Sequence, residues 1–248
     1  MIKHKNTRYP IIDTWRGWAI LAMMAYHFGF DLAMQGYLVQ DLNHSLPWLL
    51  ARSLILSTFL FIAGFSMALA QQQTAKQGWY KQYWPRQYWL RLARIGACAI
   101  LVSVGSYFMF PESWIYFGVL HFMVLASVLC WFLARHEKWL LPIGLIALGL
   151  GLFYQSATFD QPALQWLGMM THKPITEDYV PIFPWLGVML IGVYMGAWAL
   201  RRRAEWPLAT LPSARLKPVG WLGRNSLAVY MLHQPLLLGL LWLYGAIF

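Results

Sequence analysis

His27 and Asp31 stand four residues apart in the apolar run IIDTWRGWAILAMMAYHFGFDL. Residues at i and i+4 are neighbours on a helix, so this spacing lets the carboxylate meet the imidazole. A carboxylate in that place raises the basicity of the ring and fixes its tautomer. Asp13 lies 18 residues before Asp31. That is five helical turns, so the two acids share one face. Ionisable groups in an apolar span cost roughly 2.5–3.5 kcal/mol each on insertion scales, and such groups usually face the interior of a bundle and serve a function. The chemistry open to this pair is proton abstraction from an amine or hydroxyl, or ligation of a cofactor. The plainer alternative is a satisfied hydrogen bond between helices.

Other residues extend the set. His44 and Arg52 flank the start of the next apolar run, in DLNHSLPWLLARSL. Arg52 is expected to bind a carboxylate or another anionic or carbonyl group; a salt bridge to Asp31 or Asp41 is the competing explanation. His121 sits in GVLHFM, and Ser226, Tyr230 and His233 are spaced 4 and 3 in RNSLAVYMLHQPLLLGLL, making one polar stripe. Pro235 removes a helical donor, and Gln234 is placed to satisfy the freed carbonyls. Arg16 beside Asp13 reads first as an ion pair or helix anchor, and second as a substrate or cofactor contact. Arg91 and Arg94 could hold the phosphates of an anionic cofactor by charge-assisted bonds. Cys98 and Cys130 lie inside apolar runs, without the spacing of a metal or disulfide motif, so no metal is expected.

These residues need helices to position them. The chain has 248 residues, of which 59% are hydrophobic and 11% charged. Soluble domains carry about 25% charge. The apolar residues fall in runs long enough to cross a bilayer as helices, for which about 20 residues are required. Short alternating segments, the mark of a membrane barrel, do not occur. The pattern predicts an all-α integral membrane protein, a bundle of about seven transmembrane helices over 11–34, 47–70, 94–110, 114–134, 138–155, 181–200 and 224–247. One domain is expected over 1–248, with the segment 155–180 as the longest outer loop and Ala163 to Met170 dipping toward the interface. In the span 181–200, Gly187, Gly192 and Gly196 suit close helix packing.

Placing the N-terminus in the cytoplasm and alternating puts 17 of the 19 Lys and Arg residues inside, and only Arg52 and Lys173 outside. This is a strong positive-inside bias. The 15 Trp, 13 Tyr and 14 Phe gather near run boundaries, as in an interfacial belt. The net charge of +10 sits at helix ends, so nucleic acid is not expected as a partner. The basic N-terminus precedes a run with no small-residue cleavage site, which reads as a retained helix rather than a leader. Three classes remain open on the residues alone: a proton-coupled transporter, a haem or quinone protein using His27 with His121 or His233, and a scaffold whose polar stripes only pack helices.

The blocks IDTWRGWAILAMMAYHFGFDL, FLFIAGFSMAL, GVLHFMVLA, PIFPWLGVMLIGVYMG and GRNSLAVYMLHQP, in this order, resemble the bacterial branch of the heparan-alpha-glucosaminide N-acetyltransferase family. The chain is also similar, more distantly, to the wider group of transmembrane acyltransferases, through Arg16, Gly17 and His27. The resemblance implies a multi-pass protein of the bacterial inner membrane. It implies transfer of an acetyl or other acyl group from cytoplasmic acetyl-CoA to an amino or hydroxyl group of a periplasm-side sugar or glycan. It also implies a catalytic histidine, at His27 by the wider group's pattern or at His44 by the lysosomal enzyme's. His27, Asp31, His44 and Arg52 are the expected catalytic set. Arg16, His121, Tyr230, His233, Arg91 and Arg94 are the expected substrate or cofactor contacts. The partners expected are acyl-CoA, the acceptor and the bilayer, with self-association into a homo-oligomer left open.

Overall fold

The computed structural model describes residues 9–38, 45–76, 86–202 and 216–247. Among these there are eight α-helices and no strands: α1 (Pro10–Met34), α2 (Leu46–Lys76), α3 (Arg86–Met109), α4 (Val119–Leu133), α5 (Glu137–Phe153), α6 (Ile182–Arg201), α7 (Lys217–Arg224) and α8 (Ser226–Ile247). The expected all-α architecture is what forms. Four helices of the described residues are long and apolar enough to cross a bilayer: Leu46–Gln71 within α2, all of α3, all of α6, and Ser226–Gly245 within α8. The other expected spans fall short for identifiable reasons. α1 has 25 residues, but Asp13, Arg16, His27 and Asp31 dilute its hydropathy. α4 and α5 have 15 and 17 residues, lengths of about 22 and 26 Å at 1.5 Å per residue.

The chain divides into two compact units, one of residues 1–62 with 204–248 and one of residues 63–203. In the first, α7 packs along α1, and α8 packs on α1 as well. Ile12, Ala19 and Ile20 of α1 are buried there, with Leu60 of α2 and Leu241 of α8. In the second, α5 and α6 make the most extensive helix pair, and α4 packs on α3 and α6. Its core holds Phe122, Cys130, Leu140, Met189, Leu190 and Val193, all fully buried. α6 approaches its neighbours through glycine, since a Cβ on Gly187 would press on Gly144 of α5 and one on Gly196 on Phe65 of α2. Large apolar side chains also point outward: Ile100, Leu101 and Val104 on α3, and Leu236, Leu240 and Trp242 on α8. Apolar patches of this extent are foreign to a water-facing surface and match a lipid-facing one.

Four element boundaries differ from the sequence expectation: α2 runs on to Lys76, beyond the expected 70, α3 begins at Arg86, eight residues before the expected 94, and the starts of α4 and α8 differ as follows. Residues 114–118 are not helical, although they are apolar. Their backbone is claimed by a distant segment: Val180 N–H donates to Phe117 O at 3.2 Å, and Glu177 N–H to Ser113 O at 2.9 Å. The expected span 224–247 is preceded by a separate helix, α7, and the two part at Asn225. The Asn225 side-chain amide donates to Trp221 O at 2.9 Å and closes α7.

The segment 155–180 is ordered by polar contacts. It contains 3₁₀ turns at Ala157–Asp160 and Gln165–Leu167. Tyr179 Oη donates to Gln165 O at 2.6 Å, Tyr116 Oη donates to Gln165 Oε1 at 2.8 Å, and Thr171 donates to both Asp160 oxygens. These bonds to Asp160, first from the Thr171 hydroxyl and then from its backbone N–H, hold the carboxyl below its ordinary range, with His172 adding a smaller pull.

Candidate active site

The first unit contains a buried polar cluster built by α1 and α8. Asp31 is 4% exposed and His233 is 5% exposed, close to complete burial for an acid and an imidazole. Gln234 Nε2 donates to Asp31 Oδ1 at 2.7 Å. The His27 and His233 rings face each other with centroids 5.1 Å apart. His233 Nδ1 lies 2.6 Å from the backbone oxygen of Tyr230. A carbonyl only accepts, so Nδ1 carries the proton and a neutral His233 presents Nε2 as a bare lone pair. Three atoms of this cluster are buried without a hydrogen-bond partner: Asp31 Oδ2, His233 Nε2 and Gln234 Oε1. Each such atom costs about 1–3 kcal/mol. All three are acceptors, so the cluster is chemically incomplete in one direction: it lacks donors.

The pairing inside this cluster is not the one the spacing suggested. Asp31 has its hydrogen bond from Gln234, with none to His27. Gln234 therefore does not serve the carbonyls freed by Pro235. Arg52 forms no ion pair with Asp31; it is exposed on α2, within electrostatic range of the Tyr26 phenol. Tyr26 and Trp48 meet edge to face at 5.4 Å, and Trp48 lies against Gly29 of α1. His44 and Asp41 lie outside the described residues.

Arg16 and Gly17 tie α1 to α7. Arg16 Nη1 is 3.4 Å from Asp13 Oδ1 and 3.4 Å from the Gly223 backbone oxygen, near the C-terminal end of α7. A cation suits that end of a helix, where carbonyls are left without partners. A Cβ on Gly17 would overlap the Val219 carbonyl, and one on Gly223 would overlap the Asp13 carbonyl. Both glycines allow backbone to meet backbone.

The remaining expected site residues belong to the second unit. His121 is fully engaged at the start of α4: its Nδ1 accepts from Gly118 N–H at 3.2 Å, and its Nε2 lies 3.1 Å from Ser103 Oγ. Ser103 Oγ in turn donates to Ile115 O at 2.6 Å. These bonds define Nε2 as the protonated nitrogen, donating to Ser103. Asp178 Oδ2 accepts from Val119 N–H at 2.8 Å and covers the same helix end. Arg91 lines a cavity of about 30 Å³ with Tyr88, Ser127, Trp131 and Met189. That is room for one or two waters, against about 300–1,000 Å³ for a ligand pocket. Tyr88 Oη donates to Ser127 O at 2.8 Å beside it. Arg94 is exposed on α3. No group of three or more His, Cys, Asp or Glu able to hold a metal ion occurs among the described residues.

The residue that sequence reasoning misplaced is Gln234. Its signal was its position: it follows the stripe residue His233 directly and precedes a helix-breaking proline, a place where a polar side chain has to find a partner off its own helix.

Long helices with outward apolar side chains, and a cluster of ionisable side chains buried within the first unit, mark a helical membrane protein with a buried polar site. The family model for the catalytic region of heparan-alpha-glucosaminide N-acetyltransferase matches residues 8–235, and the chain belongs to this family. It is therefore a membrane protein of an acetyltransferase family whose members in general take acetyl-CoA as donor. Comparison with curated protein sequences and with solved structures finds no match to either.

Proposed function

We propose that the chain moves an acetyl group from cytoplasmic acetyl-CoA to an amino or hydroxyl group of a sugar or glycan on the periplasmic side of a bacterial inner membrane. One domain over 1–248, with its N-terminus in the cytoplasm, would do this. The observation that carries the reading is the buried set of unfilled acceptors, Asp31 Oδ2, His233 Nε2 and Gln234 Oε1, beside His27. Such a set is complementary to a ligand rich in N–H or O–H donors. Acyl transfer also needs a base for the acceptor's proton and an orienting partner, which histidine and carboxylate supply. Arg52 is the group we assign to the developing oxyanion. We assign Arg91 and Arg94 to the CoA phosphates on the basic face, with Arg16 holding α7 in place.

The test uses the full chain in lipid nanodiscs with labelled acetyl-CoA and a panel of amino sugars. Acetylated sugar and free CoA are expected in equal amounts. Absence of transfer to every acceptor, together with absence of acetyl-CoA binding, would sink the proposal.

A further inference from the structure

Two histidines face each other in the cluster, and the structure distinguishes them. His233 is locked: Nδ1 donates to the Tyr230 carbonyl, and the bare Nε2 is buried without a partner. His27 meets Tyr26 and His233 through its ring, at centroid distances of 5.9 and 5.1 Å, and makes no hydrogen bond to Asp31. A base must hold an unprotonated nitrogen in a fixed direction, and of the two rings His233 is the one whose backbone bond fixes which nitrogen that is. The adjacent residue, Gln234, anchors Asp31 by one oxygen and leaves the other bare. Successive residues of α8 thus supply a lone pair and orient a carboxylate.

Resting on the acetyltransferase reading above, we propose that His233 is the catalytic base, with Gln234 as the residue that positions Asp31. In the step, the X–H bond of the acceptor breaks, X being its nitrogen or oxygen, and the proton passes to His233 Nε2. The electron pair of X forms the bond to the thioester carbonyl carbon. The C–S bond then breaks, and the departing CoA thiolate takes the proton back from His233, which returns to neutral imidazole. Asp31 Oδ2 accepts a second hydrogen bond from the acceptor and holds it in line. Among the described residues, the titratable groups placed against His233 are His27 of α1 and Tyr230 of α8 itself, with Asp31 held by the neighbouring Gln234; Lys217 and Arg224 of α7 are exposed.

The experiment compares the wild type with His233→Gln, His233→Ala and His27→Gln as full chains in nanodiscs. Acetyl transfer to amino sugars and to water is followed across pH, with thermal melting measured in parallel. The expected result is a fall in kcat of about 10²–10⁴-fold in His233→Gln at unchanged KM for acetyl-CoA, with loss of the acidic limb of the pH profile. Added imidazole is expected to restore part of the rate in His233→Ala. Wild-type kcat in His233→Gln overturns the assignment while leaving the acetyltransferase reading standing. So does a kcat loss in His27→Gln alone, or a loss in the His233 variants that tracks a lower melting temperature and resists imidazole. A wild type that transfers to no acceptor, water included, overturns both.

Discussion

Asp31 shows what one buried side chain can and cannot reveal from sequence. Its presence in an apolar run marked it as functional, and helical spacing offered His27 as its partner. The partner is instead Gln234 of α8, 203 positions away. Periodicity sees neighbours on one helix and is blind to contacts between helices, so His27, Asp31 and His233 were each legible while their pairing was not. The Asp31–Gln234 bond also separates structure from function by mutation. Gln234→Leu removes the donor that Asp31 has among the described residues and leaves both its oxygens buried without partners there, which is expected to cost about 1–3 kcal/mol and lower the melting temperature. Asp31→Leu combined with Gln234→Leu replaces both partners by apolar groups, and such replacements can be nearly neutral. The double variant is therefore expected to melt above Gln234→Leu while losing acetyl transfer. If it keeps wild-type turnover, the cluster serves packing alone.

At the scale of elements, the sequence located seven apolar runs that overlap observed helices, most loosely at α3, which begins at Arg86 rather than 94, and it missed α7 as a separate helix. α7 escaped because eight residues containing two glycines and a proline carry no apolar run. Gly17 was legible as part of an Arg-Gly pair, yet its physical role becomes visible only with α7 against it. Gly17→Val is expected to push α7 from α1 and to destabilise the protein by about 1–3 kcal/mol, measured by thermal melting in detergent. Arg16→Ala should weaken the same joint to a smaller extent, since its contacts to Asp13 and Gly223 are long. His121 belongs to this scale as well. Both of its nitrogens are spent on the entry to α4, so His121→Phe is expected to lower stability while leaving KM for acetyl-CoA unchanged; a raised KM would return it to the binding site. The segment 155–180 carries a pH signature of its own. The Asp160 carboxyl is held below its ordinary value by Thr171, so its contribution is present above the ordinary carboxylate range and is lost as pH falls through its depressed value. The protection factor of the Thr171 amide, whose N–H donates to Asp160 Oδ1 at 2.9 Å, is expected to fall as pH drops below the ordinary aspartate value of about 4 and through the depressed value of Asp160. Asp160→Asn should show low protection at Thr171 without that pH dependence.

For the whole molecule the decisive question is which side of the membrane each loop occupies, because acyl transfer from a cytoplasmic thioester to an external sugar depends on it. The charge pattern answers strongly: 17 of the 19 Lys and Arg residues fall on one side when the N-terminus is placed in the cytoplasm, and such a bias sets orientation. Four helices satisfy the length and hydropathy of a span among the described residues, while α1, α4 and α5 trade apolarity or length for polar function and tight packing. α1 was legible as an apolar run at 11–34, and its ionisable residues Asp13, Arg16 and Asp31 are what keep it below the hydropathy of the other four. Orientation is therefore best tested by position rather than by counting spans. Ile175 is 83% exposed in the long segment between α5 and α6, and His136 is exposed in the turn between α4 and α5. The native cysteines offer little background, since Cys130 is buried and Cys98 is half-buried on α3. With the N-terminus inside, Ile175→Cys is expected to react with a membrane-impermeant maleimide in intact cells, whereas His136→Cys should react only after the membrane is opened. The reverse pattern would place the basic loops outside and remove the cytoplasmic route for acetyl-CoA. Labelling of both in intact cells would show that α5 does not cross the bilayer, so that the segment carrying Ile175 and the turn carrying His136 share one face.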